Sequence, residues 1–267
     1  MKIQDLSGKK ICILGFGKEG QAMLQALEEY VPDVNITIAD KNTGLKTKNY
    51  KLKTGPDYLR DLDRFDVLIK SPGIPPSHEL DAVRMKITSS TQIFLDTIKG
   101  SRATVIGVTG SKGKSTTSTL IYEILKAAGK KTFLIGNIGE PAIAHLKDAG
   151  MNTFFVQEMS SYQLMDVTVS PHIAVITSFF PEHLDYHGTL DAYKEAKTHI
   201  ARFQVKDDLV FFNALFEETK EIAGMSKGKK IRFSAEDCPV TADEIHLIGE
   251  HNRSNMAAAT LVARNLG

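Results

Sequence analysis

The sequence predicts an α/β protein built from two successive parallel-sheet domains. Three observations carry this reading. Short apolar runs alternate with amphipathic stretches of helical period. A glycine-rich turn follows an apolar run early in each half, at Gly15–Gly20 and at Gly107–Gly113. A length of 267 residues with 42% hydrophobic and 24% charged content suffices for two cores of ordinary size.

The first domain is placed at residues 1–98. It opens with a strand at Lys10–Leu14, the turn Gly15-Phe16-Gly17-Lys18-Glu19-Gly20 and a helix from about Gln21 to Tyr30. A strand at Asn35–Ala39 ends on Asp40, and an apolar run at Asp66–Ile69 ends on Ser71-Pro72-Gly73. This is a βαβ rhythm with glycine, serine and acid at the carboxyl ends of strands, where open parallel sheets bind ligands. Gly15, Gly17 and Gly20 match G-x-G-x-x-G, with Asp40 twenty residues on, which makes the domain Rossmann-like. The pattern suits a dinucleotide, any phosphate-bearing nucleotide over a helix N-terminus, or a tight turn with no ligand. Lys41, Lys46, Lys48, Lys51 and Lys53 read as a solvated basic loop, with a hold for an anionic substrate as the alternative, and Asp96–Gly100 as a polar connection.

The second domain, residues 99–267, reads as a phosphate-loop α/β ATPase domain. Strands are expected at Thr104–Val108, Thr132–Ile135, Thr153–Gln157 and His172–Thr177, with shorter runs at Leu209–Phe212 and Lys230–Phe233. Helices are expected at Ser115–Ala128, Asp191–Phe203 and Arg253–Asn265. The stretch VIGVTGSKGKSTT, Val105–Thr117, suits a nucleoside triphosphate. Gly110 and Gly113 let backbone N–H groups converge, the following helix adds its dipole, Lys114 reaches terminal phosphates and Ser115 offers a hydroxyl to Mg²⁺. The spacing is a variant: five residues separate Gly107 from Gly113 and two separate Gly110 from it. Leu120, Ile121, Ile124, Leu125 and Ala128 form the expected buried stripe of this helix.

Three further features carry chemistry. Glu158, at the carboxyl end of a strand beside the phosphate loop, suits Mg²⁺ directly or through water, or a helix cap. His183, Asp185 and His187 alternate, a spacing that allows zinc but sits more naturally beside a Mg²⁺–ATP site. Lys197 shares the inward face of its helix with Tyr193 and Ile200. A buried lysine must lose its charge, find an anion or be chemically altered; the alternative is a lysine that snorkels to the surface.

Net charge is +1, so nothing drives the chain toward nucleic acid or an anionic membrane. Cys12 and Cys238 are too few for a disulfide framework, and Cys12 reads as core. No run reaches the ~20 apolar residues of a membrane span, and no signal peptide is apparent, so the expected setting is cytoplasmic.

Eight segments in order resemble the Mur ligases, the ATP-dependent amide-forming enzymes of peptidoglycan precursor synthesis. They are GFGKEG at Gly15–Gly20, SPGI at Ser71–Ile74, VTGSKGKST at Val108–Thr116 and GNIG at Gly136–Gly139. QEMSSYQL at Gln157–Leu164, EHLDYH at Glu182–His187, YKEAK at Tyr193–Lys197 and EHNRSN at Glu250–Asn255 complete them. Within the family the branch that adds D-glutamate to UDP-N-acetylmuramoyl-L-alanine fits best; a sibling adding another amino acid is the alternative. A non-catalytic nucleotide-binding module is a further reading. An NAD-dependent oxidoreductase would leave Lys114, His183 and Lys197 unexplained.

The resemblance implies roles for particular residues. Gly15, Phe16 and Gly17 would lie against UDP phosphates, with Asp40 and Ser71 toward the uridine. Asn137, Ser160 and Ser161 would face the sugar and its peptide arm, or a metal-bound water. ATP would lie on Gly110, Ser111, Lys112, Gly113, Lys114, Ser115, Thr116, Thr117, Asn252 and Asn255. Mg²⁺ would be held by Ser115, Glu158, His183 and a CO₂-derived carbamate on Lys197; Lys114, Lys197 and His183 would be catalytic. The implied reaction passes through an acyl phosphate and yields ADP and phosphate. The chain departs from the family pattern at Lys112, where asparagine or histidine is usual, at Ser178 for asparagine, and at Glu182 for aspartate. The family carries a third, amino-acid-binding domain beyond the position of Gly267, so little ligation is expected from this chain alone. A monomer is expected, serving cell-wall synthesis and hence cell shape and division.

Overall fold

The computed structural model describes residues 1–47, 49–241 and 249–267. Packing divides them into two units, Met1–Ile98 with Pro141–Lys147, and Lys99–Glu140 with Asp148–Gly267.

The first unit runs β1 (Lys10–Leu14), α1 (Lys18–Tyr30), β2 (Asn35–Asp40), β3 (Lys51–Thr54), β4 (Val67–Lys70), α2 (His78–Asp81), β5 (Ile87–Thr88) and α3 (Ser90–Ile98). Its strands lie in the order β3-β2-β1-β4-β5, and every pairing is parallel. The chain leaves β1 for β2 on one side and later returns to β4 on the other. That reversal opens a crevice at the carboxyl end of β1, which the first glycine turn occupies. Cys12, Leu14, Ala39, Leu68 and Phe65 form a core under one face of the sheet. Burial pushes the Cys12 thiol up to about 12, as its place in the core requires.

Two expectations fail in this unit. Lys51 and Lys53 belong to strand β3, paired to β2 at the sheet edge, not to a loop. Lysines on an edge strand discourage further pairing, and their charge hides the strand from an apolar pattern. Lys48 lies outside the described residues. Asp96 belongs to the last turn of α3, whose Ser90, Thr91 and Gln92 are buried with Ile93 and Phe94. Its buried surface mixes polar with apolar residues, so an apolar stripe alone does not trace it.

The second unit runs β6 (Thr104–Thr109), α4 (Lys114–Ala127), β7 (Lys131–Gly136), β8 (Thr153–Glu158), α5 (Ser161–Leu164), β9 (Ile173–Ile176), α6 (Leu184–His187), α7 (Leu190–Arg202), β10 (Leu209–Asn213), α8 (Glu217–Gly224), β11 (Lys229–Phe233) and α9 (Glu250–Leu266). Its sheet is parallel throughout, in the order β11-β10-β9-β6-β8-β7. Ile106 and Val108 of β6, Phe154 and Val156 of β8, and Val175 of β9 share a core with Ile121 and Leu125 of α4 and Ala258, Ala259 and Val262 of α9. Strand parity then aims Glu158, two residues past Val156, at the face α4 covers.

The α4 stripe differs from expectation. Ile121 and Leu125 are buried, but Leu120 is half-buried and Ile124 and Ala128 are exposed. Thr117 and Ser118 take the inner face instead, because α4 packs against α9 as well as the sheet. On α7, Tyr193, Ala196 and Ile200 are buried as expected, whereas Leu190 and Phe203 at the ends are exposed. Lys197 is 1% exposed, which removes the snorkelling alternative.

Candidate active site

The first glycine turn is held by its own neighbours. Gly15 has φ +83°, its N–H donates to Ala39 O at 2.8 Å, and a Cβ on Gly20 would lie 2.1 Å from Gly15 O. Only glycine permits that approach. The Asp40 carboxylate accepts from Phe16 N at 2.7 Å and Asn42 N at 2.8 Å, and Ser71 Oγ donates to Gly15 O at 2.9 Å. Gly15, Gly17, Asp40 and Ser71 line a cavity of about 370 Å³ with Tyr58 and Ile74. Phe16 contributes its N–H to the turn and does not line that cavity. Asp40 is therefore the brace of the turn as well as part of its wall.

The second turn is built for charge. Gly110 and Gly113 have φ +151° and +87°, and a Cβ on either would meet Thr177 Oγ1 at 2.1 Å or Asn255 Oδ1 at 2.4 Å. Ser111 N donates to Ser178 O at 3.1 Å and Lys112 N to Ser178 Oγ at 2.8 Å. Those two amides are committed within the chain. The N–H groups of Gly113, Lys114, Ser115 and Thr116 have no acceptor among the described residues. They open a fourteen-residue helix, where donors and dipole favour an anion.

Two lysines converge on one carbonyl beside these donors. Lys114 Nζ donates to Gly110 O at 2.9 Å and Ser111 O at 2.8 Å, and Lys197 Nζ donates to Gly110 O at 3.0 Å. Burial lowers the Lys114 ammonium, against which Glu158 and Glu182 pull it up. Lys197 falls to about 7, first through burial and then through repulsion by Lys114. Its Nζ also sits 4.7 Å from the Tyr193 ring centroid.

Glu158 is fully buried. Its Oε1 accepts from Asn137 Nδ2 at 2.7 Å, while Oε2 has no partner. An unpaired carboxylate oxygen in a dry site is costly, and a cation would satisfy it. Ser115 exposes its side chain in the first turn of α4, so the donors fit a cation that keeps waters and phosphate ligands, as Mg²⁺ does. Among the described residues no three His, Cys, Asp or Glu side chains gather to hold a metal, so His183, Asp185 and His187 do not form the zinc set their alternation allowed.

His183 is exposed in the left-handed region at φ +57° and caps α6, its ring 4.9 Å from Tyr162 and 6.1 Å from Tyr193. Tyr193 OH in turn pairs with Ser111 Oγ at 2.9 Å, which ties this aromatic group to the phosphate loop. Ser160 caps α5, and Ser161 Oγ pairs with His187 Nε2 at 3.0 Å. Burial, helped by His183 and Lys197, lowers the His187 imidazole to about 4, so it is neutral at pH 7.

Beside the loop lies a cavity of about 530 Å³ lined by Lys112, Gly113, Thr116, Asn252 and Asn255. Thr117 is buried behind it and donates to Asn255 Oδ1 at 3.2 Å. The cavity is also lined by Asn213, Phe216 and His251, which sequence reasoning missed. Asn213 ends β10, and its place at a strand's carboxyl end was the available signal. Phe216 carried none.

Comparison with known proteins agrees with this architecture. The Mur ligase middle domain matches residues 108–239. The UDP-N-acetylmuramoylalanine--D-glutamate ligase of Listeria monocytogenes serotype 4b (strain F2365) is 33% identical over 297 residues, covering 100% of this chain and 65% of that protein. The same-named proteins of Bacillus pumilus (strain SAFR-032) and Streptococcus sanguinis (strain SK36) are 34% and 32% identical, with the same two coverages. This chain thus spans 65% of the length of these relatives.

Among solved structures, UDP-N-acetylmuramate:L-alanyl-gamma-D-glutamyl-meso-diaminopimelate ligase from Neisseria meningitides shares the fold at TM-score 0.62 and 18% identity, covering 97% of this chain and 94% of that one. UDP-N-acetylmuramate-alanine ligase from Thermotoga maritima does so at 0.51 and 20%, covering 97% and 65%. With two parallel sheets, a lysine-flanked glycine loop and similarity along the whole of this chain to part of these relatives, the chain carries a Mur ligase middle domain at residues 108–239.

Proposed function

We propose that this chain supplies the substrate- and ATP-holding part of an ATP-dependent ligase that adds D-glutamate to UDP-N-acetylmuramoyl-L-alanine. The observation that carries the ATP half is the set of open N–H donors at Gly113–Thr116, flanked by Lys114 and Lys197 on Gly110 O. The substrate half rests on the cavity over Gly15, Gly17, Asp40 and Ser71 and on the names of the relatives.

A carboxylate is a poor electrophile. Transfer of the ATP γ-phosphoryl group to it gives an acyl phosphate and ADP; the amine of D-glutamate then attacks the acyl carbon and phosphate leaves. Lys114 and the α4 amides would neutralise the charge that moves among phosphoryl oxygens. Glu158, with Asn137 fixing its other oxygen, would hold Mg²⁺ together with Ser115 and His183; the ion supplies charge neutralisation at the transferring phosphate. Lys197, lowered by burial to about 7, presents a substantial share of free amine near pH 7 and is suited to add to CO₂, forming an N–C bond and releasing one proton. The resulting carbamate would replace a strained buried cation by an anion facing the same metal.

Two measurements test this reading. UDP-N-acetylmuramoyl-L-alanine should protect residues 1–98 from proteolysis, and the intact protein should release phosphate from ATP when that substrate and D-glutamate are both present. Phosphate release with L-lysine or meso-diaminopimelate in place of D-glutamate would assign the protein to a sibling instead.

A further inference from the structure

We infer that Lys112 is a second phosphate-binding lysine, held in reserve by Glu182 until a nucleotide arrives. This rests on the ATP reading of the loop and adds a residue and a step to it.

The backbone of Lys112 cannot move. Its N–H is taken by Ser178 Oγ, and its carbonyl accepts from Thr177 Oγ1 at 2.6 Å and Ser178 Oγ at 2.9 Å. The side chain is different: it is 75% exposed, lines the 530 Å³ cavity beside Gly113, Thr116 and Asn255, and places Nζ 2.7 Å from Glu182 Oε1. A pinned backbone under an exposed four-carbon stem leaves the side chain as the part that swings.

Glu182 can release that lysine without being stranded. Its carboxylate, 21% exposed, also attracts the Lys114 ammonium, so a cation still faces it when Lys112 leaves. The β- and γ-phosphates of a nucleotide carry more charge than one carboxylate, and Lys112 stands two residues before the helix whose open N–H groups would hold them. Arrival of a di- or triphosphate therefore exchanges the partner of Lys112. Glu182 acts as a stand-in anion that keeps the loop's cations from repelling one another while the site awaits its ligand.

The test is calorimetric titration of ADP and AMP in EDTA into the chain and its Lys112→Met, Glu182→Gln and double variants. Lys112→Met should weaken ADP about fivefold and Glu182→Gln should strengthen it about fivefold, the size expected of an exposed pair. AMP, which lacks the second phosphate, should change less than twofold in each. The gain from Glu182→Gln should disappear in the double variant. ADP affinity unmoved by Lys112→Met, or a Glu182→Gln gain that survives in the double variant, would overturn the inference. Lys114→Ala separates the two levels: if it binds ADP as the parent does, the nucleotide reading itself fails. If it loses ADP while Lys112→Met binds normally, the reserve lysine alone fails. Glu182→Asp keeps the pair and should keep the parental affinity, and Lys112→Met alters an exposed side chain that the fold does not need.

Discussion

The two glycine turns begin from the same local geometry, a parallel strand running into a helix, and end in opposite electrostatic states. In the first unit the loop ahead of the helix is braced by a carboxylate: Asp40 takes the N–H groups of Phe16 and Asn42, and Ser71 takes the Gly15 carbonyl. In the second, two lysines crowd Gly110 O while four N–H groups await an acceptor. A βα turn is therefore not a phosphate grip by shape alone. One turn is braced by a carboxylate that lines the adjoining cavity; the other gathers two lysines beside open N–H donors that favour an anion.

The sharpest way to break this comparison is Gly20→Ala. The new Cβ would lie 2.1 Å from Gly15 O, so the first unit should lose about 3 kcal/mol or more, measured by denaturant unfolding. A loss below about 1 kcal/mol would mean that the turn yields easily. Next is Lys114→Ala, expected to weaken ADP by about 10- to 100-fold with little change in melting temperature. Asp40→Ala is its counterpart: it should leave ADP binding intact and cost the first unit about 1–3 kcal/mol by freeing two loop N–H groups. An exchange of those two phenotypes would erase the distinction drawn here.

Glu158→Gln sharpens it further. Neutralising a buried oxygen with no partner should hold or slightly raise stability in EDTA, while removing the gain in ADP affinity that Mg²⁺ gives the parent. The subtlest signal is a slope. Lys197 loses its proton near 7 in the folded chain and near the ordinary 10.5 when unfolded. Between those values the unfolded state binds the extra proton, so in CO₂-free buffer the lysine makes stability rise with pH across that window and level off below it. Lys197→Met should flatten that rise relative to the parent and raise stability most below pH 7. Parallel curves would show that the amine keeps its proton.

Much of this was legible in the residues because period and parity are strong constraints. Strands with buried faces announced themselves, and the helical spacing of Tyr193, Lys197 and Ile200 put a charge where the structure buries it. What escaped was held by main chain or by polar partners. Strand β3 pairs through backbone alone and carries lysines; α3 buries Ser90, Thr91 and Gln92. The commitment of two loop amides to Ser178 joins residues 66 and 67 positions apart, and no local pattern encodes it. The Ser160 and Ser161 hydroxyls have intrachain partners, Gln163 N and His187, and no local pattern encodes the second.

Helix α9 gives the cavity beside the second glycine loop a second owner. Asn255 receives a hydrogen bond from Thr117, steadies itself on Asn252 at 3.1 Å and fills the space a side chain at Gly113 would need. This seventeen-residue helix thus buttresses the loop, although it lies far from it in sequence. Trimming it, or fusing a rigid partner close behind it, should be felt first as impaired nucleotide retention and only later as unfolding.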